Sequence, residues 1–250
     1  MIPVRPVCVI ALAFVAGCHE DIADLDTVFY AGGPRPVHCA VDIDTRANAA
    51  LSSIDGALDR ARDRDEVVEI YAHKPSETVP VATIEHLLAG AQARGLPFVT
   101  YGDFARGGVS GPGLALSFDD SAVELWTAIR PLFQQYGARV TFFVSRYDVM
   151  SDDEHAGLHD LARDGHEIQA HTINHLHAPD YVERYGLDQY LRDEALPSID
   201  LLRADGFEVS AFAYPFGVRT DETDRALLQV VPVLRSVAYT WEPIDDPCPL

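Results

Sequence analysis

Three short stretches of this sequence carry side chains whose types and spacing could perform hydrolytic chemistry. The first is Leu116-Ser117-Phe118-Asp119-Asp120, an apolar run that ends in two adjacent acids. Neighbouring side chains on a strand point to opposite faces, but at a strand end the chain turns and both carboxylates can reach one place. Two carboxylates together repel unless a cation or a shared proton relieves them; alone, the pair also reads as a helix N-cap with an extra surface acid. The second stretch is His171-Thr172-Ile173-Asn174-His175, directly after Glu167-Ile168-Gln169-Ala170. Two imidazoles four residues apart lie on one face of a helical turn and can meet one ion. Imidazole and carboxylate suit a divalent transition metal, most commonly zinc. With His166 and His177 beside them, they also fit a polar surface turn. The third is Phe212-Ala213-Tyr214-Pro215-Phe216-Gly217, where Pro215 and Gly217 predict a sharp turn that is either an ordinary loop or one aiming a backbone N–H at a site.

These residues need elements to position them. Helical spacing runs over 52–64, 81–94, 123–136, 153–163, 187–204 and 222–230. Strand-like runs occupy 67–72, 97–101, 114–118, 139–144, 166–170, 209–213 and 233–239, with a glycine-rich loop at 106–113. Such alternation implies parallel strands with helical crossovers. Seven or eight units suggest an α/β barrel, in which functional residues collect where strands end and helices begin. The polar stretches fall at those junctions.

Composition bounds the partners. The chain has 250 residues, 48% of them hydrophobic, and a formal net charge of −20. That is enough apolar material for one sizeable core, and the charge argues against nucleic acid or anionic lipid as a partner. Residues 1–17 read as a signal peptide ending in Val15-Ala16-Gly17-Cys18. This resembles the lipobox of bacterial lipoproteins, so export with a lipid on Cys18 as the sole membrane contact is expected. Residues 18–36 read as a tether and 37–250 as the folded domain. Of four cysteines, Cys39 and Cys248 remain for the folded part, and an oxidising compartment favours a Cys39–Cys248 disulfide.

Taken together, Phe118-Asp119-Asp120, then His171-Thr-x-x-His175, then Tyr214-Pro-Phe-Gly217, in that order, resemble the polysaccharide deacetylases of the NodB-homology type (carbohydrate esterase family 4). Gly165 to His175 is the strongest match, and Thr141-Phe-Phe-Val144 also fits. The family's closing segment, a strand ending in His, a helix and a Phe-Val-Thr run, is absent from the end of the chain. Glu69-Ile-Tyr-Ala-His73, a helix over 81–94 and Gly95-Leu-Pro-Phe-Val-Thr-Tyr101 supply it at the front. The expectation is an irregular (β/α)7–8 barrel, circularly permuted, with the closing βαβ segment at 66–101 ahead of the opening strand at 114–118. A barrel tolerates this because its first and last strands are neighbours; otherwise His73 is an ordinary core or surface histidine.

The resemblance implies removal of N-acetyl or O-acetyl groups from an amino-sugar polymer or oligomer. Asp120, His171 and His175 would hold one divalent metal, zinc first with cobalt or nickel possible. Asp119 would act as general base, His73 as general acid, and the backbone N–H of Tyr214 would stabilise the oxyanion. Many family members carry an arginine where this chain has Ala213; Arg219, four residues past Pro215, is one candidate to replace it, and the sequence leaves open whether it does. Asp42 and Asp44 are the candidates for orienting His73. Ala213 keeps open a glycan-binding lipoprotein with a degenerate site; a metal-dependent amidase on small substrates and a metal-scavenging envelope lipoprotein are further alternatives.

Overall fold

The computed structural model describes residues 21–238 and Cys248. Among them are eight strands: β1 Phe29–Tyr30, β2 Val37–Asp42, β3 Val67–Ala72, β4 Gly113–Asp120, β5 Thr141–Val144, β6 Glu167–Ala170, β7 Ala211–Ala213 and β8 Val233–Val237. The helices are α1 Leu51–Arg64, α2 Val81–Ala93, α3 Tyr101–Arg106, α4 Val123–Ala128, α5 Arg130–Tyr136, α6 Asp152–Arg163, α7 Ala178–Tyr185, α8 Leu187–Tyr190, α9 Leu196–Ala204 and α10 Asp221–Leu227. Strands β2 to β8 pair in parallel in chain order, β3 pairs with β4, and β8 pairs with β2. The sheet therefore closes into a seven-stranded barrel. Only β1 stands outside the ring, antiparallel to the start of β3.

Period-two alternation sorts the side chains. On β4, Leu114, Leu116 and Phe118 join the large apolar layer between strands and helices, while Ala115 faces the lumen. Ala211, Ala213 and Val233 also face inward, with Tyr101 and Phe104 of α3 and with Phe143. The Tyr101 N–H donates to Thr141 Oγ1, at the amino end of β5, which fixes α3 across the barrel floor. Small residues inside leave room for larger polar ones above, at the carboxyl ends of the strands.

Several expectations need correction. Residues 97–101 form no strand: Phe98 makes a single bridge to Leu114, and Thr100 caps α3 through a reciprocal box with Asp103. The helix expected over 123–136 breaks at Ile129, because Pro131 has no N–H for the continuing ladder. The helix over 187–204 contains a π turn at Leu191–Ala195. The expected tether is docked over 21–36: Ile22, Val28 and Phe29 are buried, and Arg60 covers the Phe29 ring at 3.8 Å. Strand β2 and helix α7 lay outside the sequence-based elements. The signal segment and Cys18 lie outside the described residues, and no described helix is long and apolar enough to cross a membrane.

Where β8 closes on β2, Cys39 of β2 is bonded to Cys248, with Cα atoms 5.7 Å apart. The bridge ties the end of the chain to the seam of the barrel and constrains the unfolded chain across a long loop. Cys39→Ser is expected to cost about 3 kcal/mol and to lower the melting temperature by roughly 6–12 °C, read by calorimetry against the oxidised parent. An unchanged melting temperature would show that the seam holds without the bridge.

Candidate active site

All the polar stretches meet at the carboxyl-end mouth of the barrel. Phe118 points outward to the helical layer, so Asp119 points inward. Asp120 would then point outward again, but its φ of 86° turns it back to the mouth. Such left-handed backbone is costly for a residue other than glycine and recurs here at Thr172 (65°), His175 (58°) and Phe216 (60°).

Asp120, His171 and His175 form a group whose ligand atoms lie within 4.8 Å of one another. The Asp120 Oδ1 is 3.7 Å from His171 Nε2 and 3.1 Å from His175 Nε2. The histidines do not share a helical turn, as their spacing suggested. They sit on a non-helical loop after β6, with ring centroids 5.0 Å apart. His171 Nδ1 donates to the Ala213 carbonyl at 2.9 Å, which fixes the tautomer and leaves the Nε2 lone pair facing the carboxylate. Burial pushes the His171 pKa down to about 4, so the ring is neutral near pH 7. Asp120 Oδ1 is buried without a hydrogen-bond partner. A carboxylate oxygen and two imidazole nitrogens aimed at one point fit a divalent cation. By contrast, His166 lies in the barrel wall against Phe133 and Phe142, and His177 caps α7.

Asp119 is 3% exposed and its Oδ2 is paired with Arg235 Nη2. Arg235 is on β8, in register with Ala213 of β7, and its guanidinium lies between the Tyr71 and Phe143 rings at 4.9 and 5.0 Å. The arginine that the third stretch lacks thus comes from the neighbouring strand. Arg219, the candidate substitute, pairs with Asp224, which also accepts from the Tyr214 hydroxyl at 2.8 Å.

His73 follows β3, beside β4, and lines the same cleft. Its Nδ1 is 2.7 Å from Asp44 Oδ2, and its N–H donates to Asp44 Oδ1 at 3.2 Å. Thr78 Oγ1 donates to the same carboxylate at 3.0 Å. Asp44, not Asp42, orients the ring; Asp42 pairs with Arg46 at 3.1 Å. Burial alone would lower the His73 pKa, but the Asp44 hydrogen bond and the charges of Asp119, Asp44 and Asp120 outweigh it and raise it.

Tyr214 does not fit an oxyanion role. Its side chain is fully buried, and its backbone N–H already donates to the Arg235 carbonyl at 3.0 Å. Phe216, two residues on, lines the cleft instead. Its backbone, at φ 60° and ψ 2°, forms the sharp turn after Pro215.

A family model for polysaccharide deacetylase matches residues 106–231, just over half of the chain. The chain belongs to the polysaccharide deacetylase family. The search of curated proteins finds none that matches. Among solved structures, this deacetylase resembles IcaB from Ammonifex degensii (19% identity, TM-score 0.57, covering 73% of this chain and 89% of that one). It also resembles the deacetylase PplD from Streptococcus pyogenes in complex with acetate (19%, 0.52, covering 64% and 77%). A third is the deacetylase domain of BpsB from Bordetella bronchiseptica (16%, 0.52, covering 85% and 96%). At these identities the likeness shows the shared fold.

Two residues of the deacetylase site escaped the sequence reading. Glu194, 1% exposed, accepts from the Asn174 N–H at 2.9 Å and from its side-chain amide at 2.7 Å, clamping the loop that carries both histidines. It projects from the π turn at Leu191–Ala195, a distortion that a helical pattern does not announce. Arg235 left one trace, a lone cation in the apolar run Val233 to Val237.

Removing Arg235 leaves Asp119 buried and uncompensated. Arg235→Ala is expected to cost roughly 3–5 kcal/mol and to cut deacetylation by about 100-fold or more, read by thermal denaturation and acetate release. The double change Ala213→Arg/Arg235→Ala is expected to recover part of both, because the two positions are side by side. No loss in the single variant would show that Asp119 needs no partner.

Proposed function

We propose that this protein is an exported, metal-dependent deacetylase that removes N-acetyl groups from an amino-sugar polymer of the cell envelope or its surroundings. One observation carries the reading: a single mouth gathers a metal-binding trio, an inward carboxylate with one oxygen unpartnered, and a carboxylate-oriented histidine. The lipobox-like Cys18 and the Cys39–Cys248 bridge support work outside the cytoplasm.

A divalent cation, zinc first with cobalt or nickel accepted by the same donors, held by Asp120, His171 and His175, would polarise the acetyl carbonyl and acidify a water. Asp119 takes the proton of the attacking water on its free oxygen, while its ion pair with Arg235 keeps that carboxylate aimed. The Phe216 N–H donates to the developing oxyanion. His73, held at Nδ1 by Asp44, presents Nε2 and gives its proton to the departing sugar amine, which leaves poorly without one. Acetate and a free amino sugar result.

We also read the barrel as circularly permuted. The family match spans 106–231, whereas β3 and His73 precede it in the chain yet flank its first strand in the ring. The joined ends at β8 and β2 supply the matching cut.

His171→Ala is expected to lose both bound metal and turnover. Asp119→Asn and His73→Ala are expected to keep the metal, measured by elemental analysis, and to lose turnover by at least about 100-fold. Full activity in His73→Ala would remove the acid and the functional case for permutation. On the alkaline side, kcat/KM should fall as pH rises through the His73 pKa, because the acid must be protonated. Asp44→Asn removes the largest force raising that pKa, so this limb should move to lower pH. A limb that stays in place would sever Asp44 from the acid.

A further inference from the structure

Phe216 contradicts the ordinary preferences of a phenylalanine. The residue is 52% exposed, whereas every other described phenylalanine is buried or, for Phe98, partly buried. Its backbone sits at φ 60° and ψ 2°, in the left-handed region that a bulky side chain enters only at a cost. The turn beneath it is over-determined. Pro215 precedes it, and Ser236 Oγ donates to the Gly217 carbonyl at 2.6 Å. Gly217, at φ 71°, lies so close to β8 that a Cβ there would fall 2.9 Å from the Val237 backbone nitrogen. A rigid, strained turn thus delivers an aromatic ring to the rim of the cleft that holds Asp119, Asp120 and His73. The ring meets the His175 imidazole edge to face at 4.7 Å, and much of its remaining surface is open. Strain and exposure together do little for the fold, since buried apolar area is what stabilises it.

We propose that the Phe216 ring is a stacking platform for a sugar unit of the substrate chain next to the one being deacetylated. This rests on the reading of the protein as a deacetylase of an amino-sugar polymer. A pyranose presents a face of C–H groups that lies against an aromatic ring while its hydroxyls stay in water, and a flat rigid aromatic loses little conformational entropy in such a contact. The cleft has room for more than one unit. Its volume is about 1230 Å³, and Arg46, Asn48 and Ser52 line it as well as Phe216. That exceeds the roughly 300–1,000 Å³ of a pocket for a single small ligand. The ring therefore sets preference for a chain over a free monosaccharide.

The test uses the metal-loaded Asp119→Asn protein, which binds without turnover, and N-acetylglucosamine together with its oligomers of increasing length. Affinity should rise with length in this parent. Adding Phe216→Ala should weaken long oligomers by about tenfold more than it weakens N-acetylglucosamine, and leave metal affinity unchanged. Phe216→Trp should keep the oligomer affinity, with an indole emission change on binding that the parent lacks. Phe216→Gly should melt no lower than the parent. The proposal is overturned if Phe216→Ala binds long oligomers as the parent does. It is overturned equally if that variant loses metal, which would make the ring a support for His175, or changes oligomeric state, which would make it a contact between copies. A lower melting temperature for Phe216→Gly would make the ring structural. If the Asp119→Asn parent binds none of these sugars, the polymer-deacetylase reading itself fails and the platform falls with it.

Discussion

The site depends on holding two adjacent, mutually repelling carboxylates at one mouth. Asp119 and Asp120 are neighbours in sequence, yet each meets a different compensating partner. Asp119 turns into the lumen and pairs with the buried Arg235. Asp120 is turned back to the mouth, where it faces two imidazoles, a donor set that suits a divalent cation. Dividing the two negative charges between an internal guanidinium and an external ligand group lets one act as base and the other as ligand in the proposed mechanism. The guanidinium is itself sustained by the rings of Tyr71 and Phe143 and by the small side chains lining the lumen.

The amino-terminal third of the chain contributes the other half of the machinery. Strand β2 leads to Asp44 and strand β3 leads to His73, and their parallel pairing brings the two together at 2.7 Å. Trp126 of α4 donates to the His73 carbonyl at 2.8 Å, linking this pair to the helix that follows Asp120. Because β8 closes on β2, the same pairing that completes the barrel completes the site. Stability and chemistry therefore share the seam that Cys39 and Cys248 staple.

Strain concentrates where ligands are aimed. Asp120, Thr172, His175 and Phe216 all hold left-handed backbone at the mouth. Specific contacts hold these turns: Thr172 Oγ1 accepts from the His175 N–H, Glu194 grips Asn174, and β8 presses against Gly217. A rigid scaffold tolerates this because the rest of the barrel buries a continuous apolar layer.

The sequence by itself determined the alternating α/β plan, a barrel of seven or eight units and the pair Cys39–Cys248. These are legible because they follow from local periodicity and from counting, whereas Asp120, His171 and His175 are offered as one donor set by their resemblance to the family's motifs. It pointed to His73 and to Asp44 among two acids. Tertiary structure alone decided which groups complete them. Arg235 stands opposite Ala213 only through the β7–β8 register, so a search along the chain reached Arg219, which Asp224 already engages. The Tyr214 N–H is consumed by the same ladder, a fact invisible to a motif. Thr100 became a helix cap and not a strand residue because a side chain three positions on closes a box with it. Spacing along the chain reports which groups exist; pairing across strands decides which of them are already spent on the fold and which remain for chemistry.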